Sequence, residues 1–148
     1  MVTDVRILLC DANQDRLLAF CSITLDYEYV IRDLKVICGE RGLFVAMPSR
    51  KLTDRCRCGG KNQLRARFCQ ACGERLKPDR AVRQPDGRAV LHADIAHPVT
   101  KQARQALESA VIRAYEEELE KSKLPGYVSR YNVYDEGDEF APLPHQVR

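Results

Sequence analysis

The sequence predicts an α+β protein: an antiparallel β-sheet with one long C-terminal helix, interrupted by a small cysteine-rich insert. Three features of the chain carry this reading. Residues 4–47 run in β-rich segments broken by short turns, and residues 101–123 carry a single apolar stripe at helical spacing. Residues 53–88 lose both patterns and fill with Arg, Lys, Gly and Cys. At 148 residues the chain is one modest domain or two small ones. With 45% hydrophobic and 30% charged residues it has the composition of a soluble globular protein. No apolar run approaches the roughly 20 residues of a membrane span, so no membrane association is expected. MVTDVRILLCDANQDR sets acids on both sides of a short apolar run and lacks a basic leader, which argues against a secretory signal. Seven cysteines, four of them clustered, suit a metal site in a reducing compartment better than a disulfide framework. The expected location is the cytoplasm.

Asp4 to Cys10 (DVRILLC) reads as a strand, followed by a polar turn over Asp11 to Arg16. In Leu17 to Leu25, Ala19, Cys21, Ile23 and Leu25 face one way at period two, and Ser22 and Thr24 face the other. That alternation marks a half-buried antiparallel strand. Asp26-Tyr27-Glu28 turns the chain into Tyr29 to Cys38 and completes a hairpin. Gly39 to Gly42 is a turn and Leu43 to Met47 another strand, which Pro48, lacking a backbone donor, ends or edges. Cys10, Cys21 and Cys38 lie inside these strand patterns and are expected to be small buried hydrophobes.

Strand character returns at Ala89 to Ile95 and breaks at His97-Pro98. Thr100 is the expected N-cap of a helix from Lys101 to about Lys123. Ala103, Ala106, Leu107, Ala110, Val111, Ala114 and Tyr115 make an apolar stripe that should pack on the sheet. Lys101 and Arg104 lie near the positive end of the helix dipole, and Glu116, Glu117, Glu118 and Glu120 near the negative end. Packing, rather than surface charge, must therefore hold this helix. Pro125-Gly126 stops it. The tail from Tyr127 to Arg148 carries Tyr127, Tyr131, Tyr134 and Phe140 and the acids Asp135, Glu136, Asp138 and Glu139. It is disordered, or packs along the body, or folds back to screen the basic insert.

The insert holds Cys56-Arg57-Cys58-Gly59-Gly60 and, further on, Phe68-Cys69-Gln70-Ala71-Cys72-Gly73. Zn²⁺ takes four ligands at tetrahedral geometry, with thiolates about 2.3 Å away. Cysteines one or two residues apart in a tight turn can aim both sulfurs at one ion. The glycine that follows lets the backbone curl so that its amides donate to the thiolates. FCQACGERL resembles the second knuckle of zinc ribbons; the first knuckle departs from that pattern, with CxC in place of CxxC. Cys56, Cys58, Cys69 and Cys72 are thus the expected ligands of a structural Zn²⁺, with a redox disulfide pair or a metal-free site as alternatives. Four thiolates leave no open position for a catalytic water. Leu64, Phe68, Leu76 and Val82 are too few to form a core, and metal binding supplies on the order of 10 kcal/mol in zinc-finger peptides.

The insert is also basic. Ten cations (Arg55, Arg57, Lys61, Arg65, Arg67, Arg75, Lys77, Arg80, Arg83, Arg88) face four acids (Asp54, Glu74, Asp79, Asp86), a net of +6. Four thiolates and one Zn²⁺ bring this to about +4. Arg55, Arg57, Lys61, Arg65 and Arg67 fall between or beside the knuckles and should be exposed, and Arg50 and Lys51 directly precede the insert. Such density suits phosphate backbones. Contacts of this kind give affinity and salt dependence, not sequence choice.

Taken in order, DVRI at 4–7, DLKVICGERGLFVAMPSRK at 33–51 and DIAHP at 94–98, followed by the helix, resemble the SpoVG family (stage V sporulation protein G, a septation regulator). The resemblance covers residues 1–52 plus 89–123 as a discontinuous body. It leaves 53–88 as an inserted zinc ribbon and 124–148 as an acidic, tyrosine-bearing extension. It implies a small antiparallel sheet with a helix, and a homodimer formed by strand exchange or pairing. It further implies DNA or RNA binding in the control of gene expression, with an effect on septation in sporulating bacteria. Arg50 and Lys51 carry over from the family segment. Where the family has a short loop this chain has its insert, which the fold can tolerate because loop-closure entropy grows slowly with length.

The expected function is a nucleic-acid-binding regulator, with Arg50, Lys51, Arg55, Arg57, Lys61, Arg65 and Arg67 as contacts. The alternative is a protein–protein docking adaptor that uses the zinc ribbon without binding nucleic acid. His97, with Asp94 nearby, should satisfy a backbone group at a strand-to-helix corner, and His92 and His145 have no nameable partner. There is no nucleophile motif and no glycine-rich phosphate loop after a strand. No catalytic residue, enzymatic activity or small-molecule substrate is expected.

Overall fold

Four antiparallel strands, β1 (Val2–Leu9), β2 (Leu17–Leu25), β3 (Tyr29–Gly39) and β4 (Gly42–Ala46), form a sheet in the order of the chain. The computed structural model describes residues 1–11 and 16–132. Most of the expected turn at 11–16, His145 and the acidic part of the tail lie outside the described residues. The chain divides into two units. One joins Met1–Met47 to the part from Pro98 onward, and the other is Pro48–His97.

In the first unit the period-two reading of β2 holds. Ala19, Cys21 and Ile23 are fully buried, against Leu34 and Val36 of β3, Val45 of β4 and Ile7 of β1. Ser22, on the other face, is buried as well. β2 and β3 meet through a turn whose central residues, Asp26 and Tyr27, both have positive φ (51° and 59°). That primed geometry matches the twist of the strands it joins. Opposite Ser22 the register slips, so that Arg32 and Asp33 occupy one position between the Ile23↔Ile31 and Cys21↔Leu34 pairs. Asp33 takes φ 63° there, as a bulge residue can. The turn into β4 is Glu40-Arg41, closed by the Gly39↔Gly42 pair.

The helix α1 runs Lys101–Ser122, capped by Thr100, whose Oγ1 accepts from the Ala103 amide at 3.1 Å. Leu107, Val111 and Tyr115, one helical turn apart, are its buried residues. Ala103 and Ala106 of the expected stripe are exposed, and the apolar packing of the helix on the sheet begins at Leu107; Ile112 and Leu119 join it. The first turn carries no acid, and Lys121 alone is a base in the last, so packing does hold the helix. Beyond it the chain lies on the first unit. Tyr127 donates to Glu118 Oε1 at 2.6 Å, Ser129 Oγ donates to the Ile7 carbonyl at 3.2 Å, and Tyr131 is buried. The guanidinium of Arg32 sits 5.9 Å above the Tyr131 ring. This part of the tail packs along the body.

Of the three strand cysteines, Cys21 meets the expectation of burial and Cys10 and Cys38 depart from it. Cys21 is buried, and desolvation pushes its thiol up to about 12. Cys10 lies just past β1 and is half-buried, whereas Cys38 is exposed. Cys38 keeps the parity of Leu34 and Val36 but sits at the strand's end beside Gly39, where cover runs out.

The second unit has more β structure than its sequence displays. β5 (Ser49–Lys51) pairs with β8 (His92–Asp94), and β6 (Thr53–Arg55) pairs with β7 (Lys61–Gln63). Three-residue strands are too short to show alternation, which is why 53–88 reads as patternless. The expected strand from Ala89 to Ile95 is shorter for a related reason. Ala89 bridges to Arg83, and the Val90 amide donates to Val82 O at 2.7 Å, closing a hairpin over 82–90. The PSRK segment and all of DIAHP but its Pro98 fall in this unit, where the Ile95 amide donates to Pro48 O at 2.8 Å. His97 is exposed, and its ring makes no hydrogen bond among the described residues, correcting the expectation that it satisfies a backbone group.

Leu34→Ala removes a fully buried side chain from the centre of the sheet. It should lower unfolding stability by about 2–5 kcal/mol, read from the urea midpoint followed by far-ultraviolet circular dichroism. Thr100→Ala should cost about 1 kcal/mol in the same measurement.

Candidate metal centre and its basic surroundings

The first knuckle is a turn in which the Gly59 amide donates to Cys56 O and the Cys56 amide to Gly60 O, both at 2.9 Å. Gly59 takes φ 87°, a conformation open to glycine at little cost. In the second knuckle the Gly73 amide donates to Cys69 O, and the Cys69 amide to Glu74 O, at 2.9 Å each. These turns aim four sulfurs at one point. The Sγ atoms of Cys56, Cys58, Cys69 and Cys72 all lie within 4.8 Å of one another. Each sulfur of the first knuckle faces one of the second: Cys56–Cys72 at 3.7 Å and Cys58–Cys69 at 3.6 Å. Four thiolates about 2.3 Å from a tetrahedral ion have sulfur–sulfur edges near 3.8 Å, so the donor set fits such an ion. The CxC spacing, unusual for a ribbon, brings both of its sulfurs into the set.

A second layer of contacts fixes the sulfurs. The Gly60 amide donates to Cys58 Sγ and the Ala71 amide to Cys69 Sγ, each at 3.4 Å. Asn62, 3% exposed, ties the knuckles together. Its Nδ2 donates to Gly60 O at 3.3 Å, and its Oδ1 accepts from the Gln70 amide at 2.9 Å. Gln70 returns a bond from Nε2 to Lys61 O at 2.7 Å. Gly60 leaves no room for a side chain: a Cβ would come 2.8 Å from Ala71 Cβ and 3.1 Å from Cys69 Sγ. Sequence reading passed over Asn62, because an isolated Asn in a polar stretch carries no signal until the two knuckles face each other.

The electrostatics follow from four sulfurs at close quarters. The Cys72 amide, the Asn62 side chain and the Ala71 amide hold Cys69 down to about 6. Against the pull of the Glu74 amide, the Cys58 sulfur, burial and the Cys56 and Cys69 sulfurs push Cys72 up to about 12. Cys56 is also raised, despite the Cys58 amide. Like charges cannot share so small a volume, and a divalent cation at its centre removes the conflict.

The seven cations singled out from sequence are all exposed, and none makes an ion pair among the described residues. Arg50 and Lys51 stand on β5, opposite Ala93 and His92. Arg55 ends β6 directly across from Lys61 on β7, and Arg57 lies between Cys56 and Cys58. Arg65 and Arg67 line an open hollow of about 1020 Å³, together with Arg75 and Lys77. Other arginines of the unit do different work. Arg83 pairs with Asp79 and Arg88 with Asp86, while Arg80 is largely buried. Arg80 donates to Asp54 at 2.6 Å and to the carbonyls of Gln63, Ala66 and Lys77 at 2.9, 3.1 and 2.8 Å. It is a clamp, not a surface charge.

A family model described as SpoVG matches residues 1–117. Among curated sequences, a protein of Finegoldia magna is 40% identical over 120 residues, covering 81% of this chain and 78% of its own. One of Bdellovibrio bacteriovorus is 38% identical over 118 residues, covering 80% and 75%. One of Lachnospira eligens is 36% identical over 115 residues, covering 78% and 90%. All three carry the septation protein SpoVG name. No helix among the described residues is long and apolar enough to cross a membrane.

Asn62→Ala should lower the affinity of the thiol cluster for Co²⁺, a tetrahedral probe, by about tenfold or more. Gly60→Ala should do at least as much. Both are read from the intensity of the thiolate-to-cobalt absorption during titration.

Proposed function

The chain belongs to the SpoVG family, and on that premise we propose that it is a cytoplasmic, homodimeric, nucleic-acid-binding regulator whose second unit is a zinc ribbon that enlarges its basic surface. The observation that carries this is the sorting of charge in that unit. Asp54, Asp79 and Asp86 are each neutralised by an arginine that sequence reading had not singled out, while Arg50, Lys51, Arg55, Arg57, Lys61, Arg65 and Arg67 stay exposed and unpaired among the described residues. Unpaired exposed cations at this density attract phosphate by counterion release. A docking adaptor would instead want an apolar patch. Against the seven cations this unit exposes only three large apolar side chains, Phe68, Val82 and Ile95.

Cys56, Cys58, Cys69 and Cys72 would hold the Zn²⁺. The ion supplies folding energy and cancels sulfur charge. Four thiolates close its coordination sphere, and the proposal contains no catalytic step. Two such units in one dimer could grip two stretches of backbone, raising affinity by avidity when both are reached together.

Fluorescence anisotropy with random-sequence DNA and RNA at several salt concentrations tests the reading. Affinity should fall steeply as salt rises, and Arg50→Gln with Lys51→Gln should lower the salt slope by about two. Absence of binding at low salt would favour the docking adaptor, and sedimentation at a one-chain mass would remove the dimer. Metal analysis should find one zinc per chain. Because the ion binds thiolates, protons compete with it: uptake should release protons, and affinity should fall as pH drops and rise as pH climbs toward the raised Cys56 and Cys72 values.

A further inference from the structure

Two hairpins of the second unit flank the open hollow. One carries the second knuckle, where Phe68 bridges to Arg75 and the Leu76 amide donates to Arg67 O at 2.8 Å. The other is the 82–90 hairpin. The hollow, about 1020 Å³, is at the upper end of the size of small-ligand pockets, about 300–1,000 Å³. Its lining divides cleanly by charge state. Arg80, Arg83 and Arg88 are engaged with carboxylates, whereas Arg65, Arg67, Arg75 and Lys77 are exposed and in no ion pair among the described residues.

Phe68 stands among these free cations at 60% exposure. Phe68 and Arg75 oppose each other in an antiparallel bridge, so their side chains leave the same face. An aromatic ring so placed adds little to an interior and presents most of its surface to solvent. A ring beside a guanidinium, in a hollow with several unpaired cations, matches the chemistry of an unstacked base on a phosphate chain. A duplex cannot use it, because the faces of its bases are already stacked on one another.

We propose that this hollow is a binding site for single-stranded nucleic acid, in which Phe68 stacks on an unpaired base while Arg65, Arg67, Arg75 and Lys77 hold the flanking phosphates. The proposal rests on the nucleic-acid reading above and adds to it a preference for single strands. Phe68, Arg75 and Lys77 are contacts that the charge pattern around the knuckles did not single out.

The chain contains no tryptophan, so Phe68→Trp places a single reporter at the stacking position. The zinc-loaded full-length variant is titrated with labelled oligothymidylate, with a duplex of the same length, and with polyglutamate. Label anisotropy and tryptophan emission are followed together. The expected result is strong quenching by the single strand and none by the duplex or polyglutamate. In the otherwise native chain, Phe68→Ala should weaken single-strand affinity about tenfold and leave duplex affinity unchanged, with Phe68→Tyr restoring it. Zinc content equal to that of the native chain shows that these variants keep the ribbon. A rise in anisotropy without quenching overturns the stacking site and leaves nucleic-acid binding standing. Equal quenching by polyglutamate overturns it too, as a site for any polyanion. No rise in anisotropy with any oligonucleotide removes both readings.

Discussion

The convergence of four sulfurs within 4.8 Å is the constraint on which the Pro48–His97 unit depends. Pro48, Cys69 and Asn62 are its buried residues, so an apolar core of the usual kind is absent among its described residues. What stands in its place is a thiol cluster wrapped by amide-to-sulfur bonds and by one buried amide side chain that spans the knuckles. Small domains that cannot bury enough surface commonly depend on a metal. The first unit rests on the opposite physics. Ile23, Leu34, Val36, Val45 and Val111 are almost wholly removed from water, and removal of apolar surface is what stabilises it.

Charge in the second unit is partitioned by geometry. Arg80 illustrates how: its guanidinium meets a carboxylate and three carbonyls from distant parts of the unit, and the hydrogen bonds use up its fork of donors. Arg83 and Arg88 close short loops around Asp79 and Asp86. These internal pairings consume three of the unit's five carboxylates, leaving Glu74 and Asp94, so the remaining exposed cations far outnumber the remaining acids. A formal net charge of +3 for the chain therefore understates the positive field near the knuckles.

Much of the first unit was legible in the sequence because its signals are local. Ala19, Cys21 and Ile23 repeat every second residue, Leu107, Val111 and Tyr115 every fourth, and Thr100 caps where a cap was expected. The grouping of the four cysteines Cys56, Cys58, Cys69 and Cys72 was legible for the same reason, since spacing within a knuckle is a local property. What was hidden depends on pairs far apart in the chain. Asp54 and Arg80 are 26 residues apart, and nothing in either neighbourhood marks one as the other's partner. Asn62 becomes a buried strut only when the two knuckles face each other, and Phe68 stands beside Arg75 only once the second knuckle folds back. Cys38 shows the converse limit: strand parity was right, but parity does not say where cover ends.

The paired strands at the base of the second unit bear on how the chain is made. β5 and β8 bring the entry and exit of Pro48–His97 side by side, with the Ile95 amide bonded to Pro48 O. The first unit, by contrast, is assembled from two pieces, and its helix leaves the ribosome after the whole of the second unit has been synthesised. A sheet that waits for α1 keeps the seat of Val111 and Tyr115 open in the interval. The cysteine-bearing unit has all of its own residues by then and can close first. On the proposed zinc reading, nascent chains starved of the ion would present two exposed surfaces at once instead of one, making metal supply a determinant of yield before it is a determinant of function.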